Sequence, residues 1–278
     1  MTIKIITDSG ANTFENTILN IQHTNVPLTI RAGSKSWTDN EELDLNSFVE
    51  ELANTKEKTS SACPSINDWL SAYEGADEIY VLTITSGLSG TYNSAVQAAN
   101  LFKEDHPDVK IHIFDTKTAG PQIRLLSKKT AELINLDKSF DEVVETINQE
   151  INKTNLLFVL EHLDNLANNG RISPAIAKVT HLLKLNIYGS ANSEGKFEML
   201  GKTRGGKKMY PKLLKVMQAA GYHGGEVMID TVDADGKAQL LKTEILSVYP
   251  EAEVTISTCG GLCSYYAENN GIMIGYEI

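Results

Sequence analysis

The chain has 278 residues, 41% of them hydrophobic and 22% charged, with a net charge of −11. That length exceeds one core of ordinary size and suits two, and the balance is that of a folded globular protein. So acidic a chain is not drawn at long range to nucleic acid or to an anionic membrane, and no apolar run approaches the roughly 18 residues of a membrane span.

In chain order, Ile3–Thr7 reads as a short apolar strand ending in Asp8-Ser9-Gly10. It is too short for a signal peptide, so a cytoplasmic protein with no stable membrane insertion is expected. Val26–Ile30 is a second β-rich run. Leu45–Leu52 has helical spacing, with Leu45, Phe48, Val49 and Leu52 on one face, and Ile66–Tyr73 repeats the pattern with Trp69, Leu70 and Tyr73. Glu78–Ile84 reads as a buried strand, followed by the loop Ser86–Thr91 and a helix from about Tyr92 to Phe102. Val109–Phe114 is the next strand and stops at Asp115. Helical patterns fill Ile123–Ile134 and Phe140–Ile151.

Such alternation predicts an α/β fold, a parallel sheet with helices on both faces. Binding loops of these sheets lie at the carboxyl ends of strands. Asp8-Ser9, Ser86–Thr91 and Asp115–Thr118 all hold that position.

The strand Leu156–Leu160 opens a second unit. The loop Asn168–Ser173, a helix, a hairpin around Ser193–Gly195 and a helix near Tyr210–Ala220 follow. Glu226–Asp230, a helix, Ala252–Ser257, a short helix and Gly271–Tyr276 close the chain. The expectation is residues 1–155 as a parallel α/β domain and residues 156–278 as a smaller α+β domain with a mostly antiparallel sheet.

The loop Ser86–Thr91 is the place to look for chemistry. Its glycines let a ligand approach the backbone. The helix start behind it supplies unpaired N–H groups and a positive dipole end. Ser89, Thr91 and the Gly90 N–H can together grip a small anion. Phosphate loops add a Lys or Arg, and no basic residue lies between Glu78 and Phe102. A carboxylate therefore suits the loop better than a triphosphate. The plainer reading makes Ser89 a helix N-cap and the glycines a turn; both readings stand on the pattern. A serine-hydrolase elbow does not fit, because Thr91 occupies the place of its last glycine. In the cluster Thr59–Ser65, Ser65 reads as an N-cap, which leaves Ser61 in an approach loop, free to meet a ligand.

Three cysteines, Cys63, Cys259 and Cys263, do not make a disulfide framework. Cys259 and Cys263 resemble half a metal site, but no second pair accompanies them, so ordinary thiols and no metal are expected. Asp8 and Asp115 lack a third carboxylate and read as caps or turn formers. His23, His106, His112, His162, His181 and His223 are scattered. Only His162, beside a strand end, invites attention.

Taken together, these segments resemble the DegV family. Asp8-Ser9, the Ser61–Ser65 cluster, Ser86-Gly87-Leu88-Ser89-Gly90-Thr91-Tyr92, Asp115, Gly170-Arg171-Ile172 and Gly201-Lys202-Thr203-Arg204-Gly205 stand in the family's order. The resemblance implies two α/β domains with a fatty acid buried between them. It implies a binding protein rather than an enzyme, with no cofactor and no catalytic residue. It also implies a partner, the ATP-dependent subunit of a fatty acid kinase, that phosphorylates the bound carboxylate.

By position, Ser89 and the Gly90 N–H are expected to bind the carboxylate, with Ser61 in place of a common threonine. Arg171 and Arg204 match positions that engage the kinase; plain solvent exposure is their other reading. Five basic residues from Lys202 to Lys212 in an acidic chain favour a docking patch. Many members end in a turn whose histidine lies near the carboxylate. Here Cys259–Gly271 contains no histidine, and Tyr266 or Ser264 is the expected donor in its place. Two other functions stay open: a lipid-sensing regulator without a kinase, and an enzyme acting on a small carboxylate.

Overall fold

The computed structural model describes residues 1–177 and 185–278; His181 lies outside the described residues. The first sheet is built from β1 (Ile3–Asp8), β2 (Thr17–Ile18), β3 (Ile21–Val26), β7 (Glu78–Thr83) and β8 (Lys110–Asp115), in the order β2-β3-β1-β7-β8. β3, β1, β7 and β8 are parallel, and β2 is an antiparallel edge.

Side chains alternate across a strand, and both faces of this sheet are covered. Ile5, Tyr80, Leu82 and Phe114 face α4 (Pro121–Asn135) and α5 (Phe140–Glu150). Ile6, Ile79, Val81 and Ile111 face α2 (Ile66–Tyr73) and α3 (Thr91–Asp105). Ser65 caps α2 in a reciprocal box with Asp68.

Val26–Ile30 is not one strand. Pro27 has no N–H to give a ladder, so the chain leaves β3 at Val26 and resumes as β4 (Thr29–Ala32) in another sheet. β4 pairs with β5 (Lys35–Thr38) and β6 (Thr59–Ala62) in a small antiparallel sheet ordered β5-β4-β6. The expected approach loop around Ser61 is therefore an edge strand. Helix α1 (Leu45–Asn54) connects β5 to β6.

The second large sheet runs β11-β10-β9-β14-β12-β13. Its strands are β9 (Thr154–Leu160), β10 (Asn186–Ala191), β11 (Phe197–Thr203), β12 (Val227–Thr231), β13 (Val254–Thr258) and β14 (Ile272–Glu277). All pairs are antiparallel except β12–β13. The expected division after residue 155 falls at the second residue of β9. Short helix α6 (Asp164–Asn168) follows β9. Residues 174–177 are helical, and the rest of that expected helix lies outside the described residues.

On β9, Leu157 and Val159 point to one face and meet α7 (Met209–Ala219) and α8 (Asp235–Val248). Leu156, Phe158 and Leu160 point to the other face. Helix α4 lies between the two large sheets, packed on β9, β12 and β14 and also on β1 and β7. Ten of its fifteen residues are buried, as a helix with neighbours on all sides requires. It is also pinned by charge. Arg124 donates to Asp230 at 2.5 Å, and Asn12 donates to the same carboxylate at 2.7 Å.

The last helix, α9 (Gly261–Ala267), crosses back to the N-terminal elements. Its first two N–H groups, of Gly261 and Leu262, donate to the Asp39 carboxylate at 2.7 and 2.9 Å. Gly260-Gly261 is thus the start of a helix. The fold thereby delivers α9's last turn, with Tyr266, to the ends of β6 and β7.

Candidate functional site

The three rim loops converge and hold one another. The buried Asp8 carboxylate accepts from the Gly10 N–H at 2.9 Å and the Ile84 N–H at 2.8 Å. The Gly120 N–H donates to the Gly10 carbonyl at 2.6 Å, and the Thr85 N–H donates to the Thr118 carbonyl at 2.8 Å. Asp115 accepts from the Ser86 N–H at 3.0 Å, from the Ser86 hydroxyl, and from the Lys117 ammonium at 2.6 Å. Burial pushes the Asp115 carboxyl up, but Lys117 and Ser86 outweigh it and hold it below the usual range. At Asp8 burial wins and raises the carboxyl to about 7. Asp8 and Asp115 are thus taken up by neighbouring donors. Among the described residues no cluster of three or more His, Cys, Asp or Glu could hold a metal ion.

Inside this rim lies a cavity with about 840 Å³ of empty space, its open mouth included. Its wall is mostly apolar: Leu156, Phe158 and Leu160 of β9, Met273 of β14, and Leu262 and Ala267 of α9. Ile84 and Leu88 come from the first sheet's loops, so both halves of the chain build the wall.

Polar groups of the same lining include Ser61, Ser89, Thr118, Arg171, Lys196 and Tyr266. Ser61 Oγ on β6 and Tyr266 OH on α9 are 2.7 Å apart. Arg171 holds its guanidinium 5.7 Å from the Tyr266 ring centre. It donates to the Leu88 carbonyl at 3.2 Å and the Asn169 carbonyl at 2.5 Å. The loop residue expected to face a partner therefore also borders the cavity.

At the Ser86–Thr91 loop, the N-cap of α3 is Gly90, with no side-chain cap bond. Ser89 is not the capping residue of the plainer reading. Its Oγ lies 2.7 Å from the Thr91 hydroxyl and accepts from the Thr91 N–H at 3.3 Å. Thr91 is fully buried and serves Ser89 rather than the cavity. Among the described residues no hydrogen bond takes up the Gly90 N–H. A β-carbon at Gly90 would stand 3.4 Å from the exposed Cys63 thiol, an ordinary contact.

Ser264 is not the donor sought in place of the histidine, because its hydroxyl donates to the Cys259 carbonyl at 3.2 Å and is buried in α9. Arg204 is exposed beyond β11 and does not line the cavity. His162 is exposed and also outside it. Cys259 and Cys263 are buried thiols whose ionisation burial pushes well upward.

Several contributors escaped the sequence reading. The tip of the β10–β11 hairpin closes on the Ser86–Ser89 loop. A β-carbon at Gly195 would overlap the Thr85 hydroxyl, and one at Gly87 would overlap the Glu194 carbonyl. The paired glycines were visible as turn residues; their facing each other was not. Asp39 carried no local signal, and Thr118 was legible only as the end of the rim loop Asp115–Thr118. Burial raises Asp39 to about 6, despite the two N–H groups and the Ser9 hydroxyl that favour its charge.

A family model described as "Uncharacterised protein, DegV family" matches residues 2–277. A DegV domain-containing protein of Streptococcus pneumoniae (strain R6) is 42% identical over 280 residues, 100% of both chains. Among solved structures, the Streptococcus pneumoniae fatty acid kinase (Fak) B3 protein loaded with linoleic acid is 42% identical over 100% of both chains, with a TM-score of 0.97. A DegV family protein from Eubacterium eligens loaded with heptadecanoic acid is 37% identical over 99% of both chains, with a TM-score of 0.95.

Proposed function

Since the chain belongs to the DegV family, we propose that it binds a long-chain fatty acid and presents the carboxylate to a separate ATP-dependent kinase. The observation that carries this reading is one apolar cavity bordered by the hydroxyls of Ser61, Ser89 and Tyr266. Two relatives above 35% identity hold fatty acids, which supports the same ligand here.

In this reading the acyl chain lies in the cavity, with residues 1–155 supplying the carboxylate loops and residues 156–278 the lid. Each buried CH₂ contributes about 0.8 kcal/mol, so roughly sixteen carbons offer on the order of 10 kcal/mol before ordering costs. The carboxylate must be paired in such a place. Ser89 Oγ and the Gly90 N–H, with Thr91 orienting Ser89, provide donors at a helix start. The Ser61–Tyr266 pair supplies a further hydroxyl where many members have a histidine. Arg171, at the rim, and Arg204, on the exposed basic stretch, are assigned to the kinase. No protein group near Ser89 acts as a general base in this scheme, and the chain is a substrate carrier rather than the catalyst.

The test is mass spectrometry of solvent extracts from the denatured protein. One fatty acid per chain is the expected result; a polar metabolite or an empty protein would overturn the reading. Addition of the kinase subunit and ATP should then yield acyl phosphate. Lipid without acyl phosphate would remove the kinase from the account and leave the binding.

A further inference from the structure

The Ser86–Thr91 loop carries no cation, so any positive charge beside it comes from other elements. Among the described residues that line the cavity, the cations are Arg171 and Lys196, and no acidic side chain joins them. Arg171 is committed to the Leu88 and Asn169 carbonyls. Lys196 follows the tip of the β10–β11 hairpin, where a β-carbon at Gly87 would stand 3.1 Å from its Cγ. Its stem therefore lies against the loop just ahead of Ser89. Its ammonium donates to Glu194 at 2.7 Å, and both of those side chains are more than half exposed. Such a pair is screened by water and costs little to release. Lys117 backs the same tip: a β-carbon at Gly195 would stand 3.0 Å from its Cα. Its charge, after that of Lys196, holds the Glu194 carboxyl below the usual range. The Lys117 ammonium itself stays with Asp115 at 2.6 Å. Lys196 is thus the cation beside the loop that is free to change partners.

We propose that Lys196 binds the phosphoryl group of the acyl phosphate product, exchanging Glu194 for it. This rests on the fatty-acid and kinase reading above. In that reaction a carboxylate oxygen attacks the terminal phosphorus of ATP held by the kinase. The new O–P bond forms as the bond from that phosphorus to the ADP oxygen breaks, and ADP leaves with the electron pair. The protein presents one negative charge and takes back about two. Ser89 Oγ and the Gly90 N–H suit the single charge of the acid; the phosphoryl group calls for a cation. A lysine on a flexible stem meets a phosphate as a movable point charge. Glu194 occupies that charge until the phosphoryl group arrives.

The experiment measures the affinities of delipidated protein for palmitate and for the β-ketophosphonate with the same acyl group. In that mimic a CH₂ replaces the bridging oxygen, so it does not hydrolyse. The readout is the ratio of the two affinities, which a general loss of folding does not move. Lys196→Met should lower phosphonate affinity relative to palmitate on the order of ten-fold, and Lys196→Arg should restore most of it. Glu194→Gln removes the competing carboxylate and should shift the ratio the other way, about two-fold. A ratio unmoved in Lys196→Met would overturn the proposal. So would an equal loss of both ligands, or a wild type that takes palmitate and rejects the phosphonate. A wild type that takes neither would overturn the fatty-acid reading itself. Failure of the kinase reading would show instead as absent acyl phosphate when the kinase and ATP are added.

Discussion

Ser61 and Tyr266 stand 205 positions apart in the chain and 2.7 Å apart in space. Tyr266→Phe removes that bond and keeps the ring over which Arg171 lies. It should lower stability by about 1 kcal/mol and weaken retention of the fatty acid, as denaturant melts and lipid extraction would record. Ser89→Ala should cost more in binding than in folding. A hydrogen bond to a charged group contributes about 1.5–3 kcal/mol, so fatty acid affinity should fall on the order of 10- to 100-fold with the melting temperature nearly unchanged. At this scale the sequence was legible where the signal was local. Ser89 stands out because a strand, two glycines and a helix surround it within a few positions. Tyr266 became a candidate through family resemblance and a missing histidine. Thr118 was legible only as part of the Asp115–Thr118 rim loop, and Asp39 could not be found, because what defines it is a helix end far away in sequence.

Helix α9 is held by one carboxylate from another part of the chain. Asp39→Ala leaves the Gly261 and Leu262 N–H groups without their acceptor at a fully buried position. The cost should be about 1–3 kcal/mol, and loosening of Tyr266 should show as faster hydrogen exchange in α9. Gly195→Ala acts on the opposite wall. Gly195 has φ +70, and its β-carbon would overlap the Thr85 hydroxyl. The strained backbone and the overlap should cost on the order of 1–3 kcal/mol and speed fatty acid release, measurable by stopped-flow transfer to vesicles. Strands with both faces covered, such as Ile79–Leu82, announced themselves as continuous apolar runs. The β5-β4-β6 sheet did not, because Thr59–Ser61 is polar throughout and has no alternation to read. Pro27, which divides the Val26–Ile30 run, was the one available warning.

Among the described residues, four carboxyls are raised chiefly by burial: Asp8 to about 7, Asp39 to about 6, Glu268 to about 7, and Asp230 beside Arg124. A raised folded value means the folded state binds more protons than the unfolded one between about pH 4 and pH 7. Stability from these groups is therefore full below about pH 4 and is lost as pH rises through 6 to 7. Glu142, lowered to about 2 by the Ser139 N–H and hydroxyl, works the other way and loses its contribution only as pH falls toward 2. The melting temperature should decline from about pH 5 to pH 7.5, and calorimetry across that range should record it; a steady rise would contradict it. The two-sheet architecture was legible from alternation alone. The shared layer, α4 between both sheets, was not, because a periodic apolar pattern does not say how many neighbours a helix has. The turn after β7 is expected to hold the acid end of a lipid whose chain fills the cavity. A crystal structure of the protein with a long-chain fatty acid tests it most directly. The prediction is a carboxylate within hydrogen-bond reach of Ser89 Oγ and the Gly90 N–H, its chain running past Phe158. A carboxylate seated elsewhere, or a cavity filled by side chains with lipid outside it, would contradict the account.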